Sequence, residues 1–211
     1  MNPAGGIVKF VESHVPHVEQ AVIVDTGSVD GTAEELTQLE KKFRNLRVYH
    51  TSFENFAQAR NISLNNVETS MILVLDADEL IEKEDFAKLR RVMLRNPNAC
   101  VNFDLLNVFP DGTEYKGLIH NPRLFPKSIK PYYSIPVGLT GEHLFAGLNK
   151  QEANIIENSV FYRNPQLIKS RESPVPIYQF KSSEKGDVIK FEQFYRFLSK
   201  DHPQREKYAW N

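Results

Sequence analysis

The sequence predicts an α/β protein, a mostly parallel central sheet flanked by helices, and three observations predict it. Apolar runs of strand length alternate with stretches of helical periodicity over the first half of the chain. Two of those runs end abruptly in acid: "QAVIVD" closes on Asp25 and "MILVLD" on Asp76. The length, 211 residues, suits one main domain with a small appendage.

Each element has its own warrant. In "GIVKFVESHV", Ile7, Val8, Val11 and Val15 fall at helical spacing, and Pro16 closes the helix. "QAVIVD" is a short buried strand, and "DTGSVDGT" after it is turn chemistry. Thr32 followed by Glu35 predicts a capping box, with Leu36, Leu39 and Phe43 as the buried stripe. "LRVYH" is the second strand, Asn55 caps a helix running to about Leu64, and "MILVLD" is the third strand. Glu82, Glu84 and Asp85 favour a helix start through the macrodipole, with Phe86, Leu89 and Met93 facing inward. Beyond that, "ACVNFDLLNVF", "PDGT" and "EYKGL" read as a hairpin. "RLFP" and "NSVFY" are further short strands among Pro-rich loops. Phe191, Phe194, Tyr195 and Leu198 form a last amphipathic stripe. The catalytic-type domain is therefore expected over 1–170, and a linker with a helical segment over 171–211.

Bulk properties narrow the function. Lys and Arg number 26 against 27 Asp and Glu, a net charge of −1, which leaves no electrostatic footprint for nucleic acid. No run approaches the ~18 apolar residues of a membrane span, and "MNPAGGIVKF" lacks the pattern of a signal peptide. The expected location is cytoplasmic. Cys100 is the single cysteine and reads as a buried structural thiol.

Ligands of open parallel sheets bind at the carboxyl ends of the strands. Asp25 and Asp76 stand there, and Asp78, two residues on, is expected on the same side as Asp76. Crowded carboxylates repel, so a counter-charge is required. Mg²⁺ or Mn²⁺ would meet that need, held by one or two carboxylates together with a diphosphate. Arg60, on the helix between the strands with Asn61 beside it, is expected in the same crevice, paired with an acid or with phosphate. Asp30 and Glu79 read as solvated or capping acids.

Together "VIVDTGSVDGT", "NFAQARNISL" and "ILVLDADEL" resemble the family 2 glycosyltransferases over roughly residues 7 to 145. The resemblance implies a GT-A fold and an inverting, hexosyltransferase-like enzyme using a nucleotide-diphosphate sugar. By it, Asp25 contacts the nucleoside, Arg60 lies by the nucleotide, Asp76 sits at the ribose or metal side, and Asp78 ligates Mn²⁺ or Mg²⁺. "RLFP" and the later "GEHLF" resemble the stretch where members carry Arg-Leu-Phe and then an acid beside a His. This implies Glu142 as catalytic base with His143 as its neighbour, in inverted order. Tyr132, Tyr133 and Phe145 either stack on an acceptor sugar or pack. Members also open with a strand beside the nucleoside, whereas here Met1 leads almost directly into a helix. The acceptor is expected to be a saccharide, a lipid-linked molecule or a protein, and homo-oligomers are compatible. Two other functions fit the same pattern: an impaired nucleotide-sugar-binding or interaction module, and a sugar nucleotidyltransferase.

Overall fold

The computed structural model describes residues 6–108, 114–117, 122–135, 142–147 and 170–180. Helix α1 (Gly6–His14) buries Ile7 and Val11, and Pro16 turns the chain into a 3-10 segment at Val15–His17. Strand β1 (Ala21–Asp25) pairs in parallel with β2 (Leu46–His50), in a register that sets Asp25 against His50. Helix α2 (Thr32–Lys42) lies between them in sequence. Val11, Val15, Leu36 and Leu46 form the core of this first unit.

The expected capping box is not made. Gly31, at φ 91°, is the N-cap, which places Thr32 inside the first turn. Asp30 Oδ1 instead accepts from the Thr32 N–H and hydroxyl, at 3.3 and 2.7 Å. Asn55 does cap helix α3 (Phe56–Asn66): its side-chain oxygen accepts from Gln58 N at 2.8 Å.

Strand β3 (Met71–Leu73) is shorter than the apolar run that announced it. Val74 N still bonds Arg123 O at 2.7 Å, but the chain then turns, closed by Glu79 N to Asp76 O at 2.9 Å, into β4 (Glu79–Leu80). Asp76 and Asp78 therefore sit on a turn, where strand alternation no longer decides which way they point. Helix α4 (Asp85–Arg95) buries Phe86 and Leu89 as its spacing predicts.

Strands β5 (Cys100–Asn102), β6 (Leu105–Val108), β7 (Glu114–Gly117), β8 (Leu124–Pro126), β9 (Pro131–Ser134) and β10 (His143–Ala146) follow. The chain completes its described sheets with β11 (Ser170–Glu172) and β12 (Ile177–Phe180). β6 and β7 form the expected antiparallel hairpin. One four-stranded sheet has the order β11-β5-β8-β3 and another β4-β12-β6-β7, while β9 pairs with β10. Pairing is mixed: β1 with β2, β5 with β11 and β6 with β12 run parallel, and the other pairs run antiparallel. Only five residues separate β6 from β7, too few for a helical crossover, so these neighbours reverse direction.

β11 and β12 lie in the stretch expected to begin a linker. Ile177 is fully buried, and β12 sits between β4 and β6, so the sheet extends past 170. The expected strand at "NSVFY" and the helix bearing Phe191 to Leu198 lie outside the described residues. Cys100 is buried and free, as its context predicts. Among the described residues, no helix is long and apolar enough to cross a membrane.

One seam divides the molecule. Ala21 N and Asp25 O bond toward β2, so by strand alternation Val22 and Val24 aim their peptide groups at the other edge of β1. Ser70 O and Val74 N bond toward β8, so Met71 and Leu73 expose the far edge of β3. No described strand pairs with either edge. Gln20 spans the start of this seam, donating to Asn66 O at 3.1 Å and accepting from Glu68 N at 2.7 Å. The seam lies where the resemblance leads one to look for a further strand.

Candidate active site

Five charged side chains and one helix build the site. α3 packs against β1 and β9. Asn61 fixes its rotation: Asn61 Nδ2 donates to Tyr133 O at 2.7 Å and its Oδ1 accepts from Tyr133 N at 2.8 Å. That pair satisfies both peptide groups of a strand residue and sets Arg60, the preceding residue, over the Tyr133 ring, 5.8 Å from its centroid.

Arg60 then reaches two acids from distant parts of the chain. Its Nη2 donates to Asp76 Oδ1 at 2.5 Å and its Nε to Glu142 Oε1 at 3.0 Å. Arg123, at the mouth of β8, donates from Nη2 to Asp76 Oδ2 at 3.0 Å and to Glu79 Oε1 at 2.7 Å. Glu79 Oε2 accepts from Asp76 N at 2.8 Å, which pins the turn from the other side. The counter-charge that the crowded acids require is thus supplied by two guanidiniums.

The electrostatics follow from burial and these contacts. Burial alone would lower the pKa of Arg60 and Arg123, but Asp76 and Glu142 on one, and Glu79 and Asp76 on the other, outweigh it and raise both. Burial pushes Asp76 up, yet Arg60 and Arg123 outweigh that and hold it below the usual carboxylate range. Glu79 is 2% exposed, and burial pushes it up to about 7. Burial likewise raises the Tyr133 phenol to about 12.

The expected site residues separate into groups. Arg60, Asn61, Asp76 and Glu142 are brought together. His143 follows Glu142 as the first residue of β10, paired with Ser134. Asp78 turns aside, and its Oδ2 accepts from Gln179 Nε2 of β12 at 2.9 Å. Asp25 has its own partners: Ser28 N at 3.1 Å on Oδ1, and His50 Nδ1 at 3.2 Å on Oδ2. Tyr133 and Phe145, offered as sugar platforms, are 1% and 2% exposed and pack in the core.

Two participants were not expected. Glu79, read as a solvated or capping acid, is buried and ion-paired. Arg123 carries half of the counter-charge, and its Nε is buried with no partner among the described residues. The signal was present in "PRLF", where an arginine precedes a fully apolar strand.

The two residues expected to hold a metal differ in fitness. Both Asp76 oxygens are occupied by guanidiniums. Asp78 keeps Oδ1 outside its bond to Gln179, so it fits a cation whose other ligands are water and phosphate. Among the described residues, no three His, Cys, Asp or Glu side chains cluster as a self-sufficient cation cage.

Comparison with known proteins agrees with this architecture. A sequence model described as "Glycosyl transferase family 2" matches residues 12–154. An uncharacterized glycosyltransferase of Rickettsia felis is 37% identical over 65 residues, 31% of this chain and 11% of that protein. Among solved structures, S. aureus TarS 1-349 in complex with UDP-GlcNAc aligns with a TM-score of 0.58 at 17% identity, over 94% of this chain and 63% of that one. A second structure of S. aureus TarS 1-349 aligns at 0.54 and 16%, over 94% and 61%. The chain thus spans less than two thirds of the structures it matches, and about a tenth of the curated relative.

Proposed function

Given that the chain belongs to glycosyl transferase family 2 and has the GT-A α/β fold, we propose that it transfers a sugar, of hexose type, from a nucleoside-diphosphate sugar to an acceptor hydroxyl with inversion. The observation that carries this reading is the Arg60 bridge, which ties the acid at the end of the apolar run, Asp76, to the acid on the acceptor side, Glu142. A donor lying across Arg60 has its leaving diphosphate beside a desolvated guanidinium and its anomeric carbon facing Glu142. TarS, bound to UDP-GlcNAc, supports a nucleotide-sugar donor.

The roles follow. Glu142 accepts the proton of the attacking hydroxyl as the new bond forms. His143, its neighbour in sequence, serves as the residue that orients this base. Arg60 stays charged at any working pH and meets the negative charge that grows on the departing diphosphate, an interaction stronger in the transition state than before it. Diphosphate and Glu142 compete for that guanidinium, so donor binding loosens the Arg60–Glu142 pair and frees the carboxylate to act as a base. Asp76 and Arg123 hold Arg60 in place meanwhile. A Mn²⁺ or Mg²⁺ ion held by Asp78 would add positive charge at the diphosphate.

Transfer from sugar nucleotides, assayed with Mn²⁺, tests the proposal. Glu142→Gln is expected to retain donor binding and lose about 10²- to 10⁴-fold in turnover. Undiminished turnover in that variant would refute the base assignment. Asp78→Asn is expected to fold normally and to lose the metal-dependent part of nucleotide binding. A second reading, a nucleotide-sugar-binding module with impaired catalysis, is favoured by the seam between β1 and β3. Nucleotide binding without turnover by the wild-type chain would select it.

A further inference from the structure

The strand expected to be linker also reaches the site. β12 runs between β4 and β6, with Gln179 set opposite Glu79 on one side and Asn107 on the other. Side chains alternate along a strand, so Ile177 and Gln179 share one face. Ile177 is fully buried in a core cluster with Ile81 and Leu105. Gln179, two residues on, is half-buried and meets the turn after β3. There its Nε2 donates to Asp78 Oδ2 at 2.9 Å, across 101 residues of sequence. An ionised carboxylate only accepts hydrogen bonds, so the amide presents its NH₂ group to Asp78.

Asp78 stands at the corner of that turn. The turn is closed by Glu79 N to Asp76 O at 2.9 Å and by Asp76 N to Glu79 Oε2 at 2.8 Å. Those bonds fix the backbone and leave the rotamer of Asp78 unset. The bond from Gln179 sets it, because it ties Oδ2 to a strand paired along both edges. The partner's chemistry matters as well. Asp76 is bound on both oxygens by guanidiniums, whereas a neutral amide orients Asp78 and leaves its full charge for a cation.

Building on the nucleotide-sugar reading above, we propose that Gln179 is a positioning residue of the donor site. Through Oδ2 it holds the Asp78 carboxylate in the orientation that leaves Oδ1 for a divalent cation. Outer partners of ligating carboxylates typically govern metal affinity about 10- to 100-fold. Gln179 lies beyond residues 12–154, the stretch that the family model matches, so the donor site draws on the chain past that stretch.

The test is isothermal titration of the full chain with UDP and with inorganic pyrophosphate, each with and without Mn²⁺. The wild type is expected to bind both probes more tightly with Mn²⁺. Gln179→Met, similar in length but without the amide, is expected to lose about tenfold of that gain, with the loss confined to titrations containing Mn²⁺. Gln179→Asn keeps an amide on β12 but is a methylene too short to reach Asp78. It should show the same loss, and it decides the matter if the Met variant does not fold. In an Asp78→Asn background, Gln179→Met should have no further effect, since Gln179 acts through that carboxylate. A loss that is equal with and without Mn²⁺, or that persists in the Asp78→Asn background, overturns the proposal, as does an undiminished gain in Gln179→Asn. Probes that bind the wild type equally with and without Mn²⁺ overturn Asp78 as a cation ligand, and this proposal with it, while the nucleotide-sugar reading stands. Failure of both probes to bind the wild type overturns the donor reading itself.

Discussion

Two strand ends carry the acids that matter, and they solve the same problem differently. At the end of β1, Asp25 is held by a backbone N–H and a half-exposed histidine. At the end of β3, Asp76 and Glu79 are held by two arginines, each only 12–17% exposed. A backbone N–H and a half-exposed imidazole cost little to desolvate and leave the acid exchangeable. A buried guanidinium is different: it is favourable only while every acid around it is in place. The first end is thus loosely held, whereas the second keeps a fixed positive charge ready for an anion.

The largest effect is expected where that difference is removed. Arg123→Met leaves Glu79 buried without its ion-pair partner and takes one of two guanidiniums from Asp76. Breaking a buried pair from one side costs about 3–5 kcal/mol. Urea unfolding of the variant should show that loss in midpoint, and pairing it with Glu79→Gln should recover a large part of it. A single substitution costing under 1 kcal/mol would place the charged centre in the same class as the Asp25 end.

How far this contrast is legible in the sequence follows from what kind of information each part needs. β1, β2, α3 and α4 were readable because apolar spacing and an Asn cap are local signals. The extent of β3 was not, since the apolar run continues to Leu75 while pairing stops at Leu73, limited by the partner strand. β9 and β10 escaped notice because Pro131 opens one and a polar pair introduces the other. Position offered Arg60 either an acid, Asp25 or Asp76, or a phosphate, and the structure pairs it with Asp76, while Glu142 and His143 entered only through the resemblance. The burial of Glu79 is set by Arg123, 44 residues away, and no local pattern announces it. The capping box failed because the helix began one residue early, and one residue is enough to move a hydroxyl off the cap.

A smaller effect is expected at the joint between the two regions. His14, at the end of α1, bonds Phe10 O through Nδ1 at 2.7 Å and accepts from Ile81 N through Nε2 at 3.2 Å. It is 5% exposed, and burial lowers its pKa below 6.5. The unfolded chain therefore takes up this proton first as pH falls, so stability declines on acidification below about 6.5. Protonation also removes the acceptor for Ile81 N, at about 1–2 kcal/mol. Melting temperatures from pH 7.5 to 5.5 should fall for the wild type and fall less for His14→Gln. Parallel slopes would mean that the joint does not depend on the neutral ring.

The smallest effect is expected at the Asp25 end itself. Burial raises the Asp25 pKa, but the hydrogen bonds from Ser28 and His50 outweigh it, and the net shift is downward from 3.8. A carboxyl with a depressed folded pKa stabilises the fold above the unfolded value and loses that contribution as pH falls through the folded one. Asp25→Asn keeps an acceptor for Ser28 N and gives up only the charge-assisted part of the contact to His50, so about 0.5–1 kcal/mol is expected near neutral pH. The difference between variant and wild type should shrink as pH is lowered toward 3. A variant that loses several kcal/mol, as Arg123→Met should, would show that the β1 end is a structural ion pair as costly to break as the charged centre.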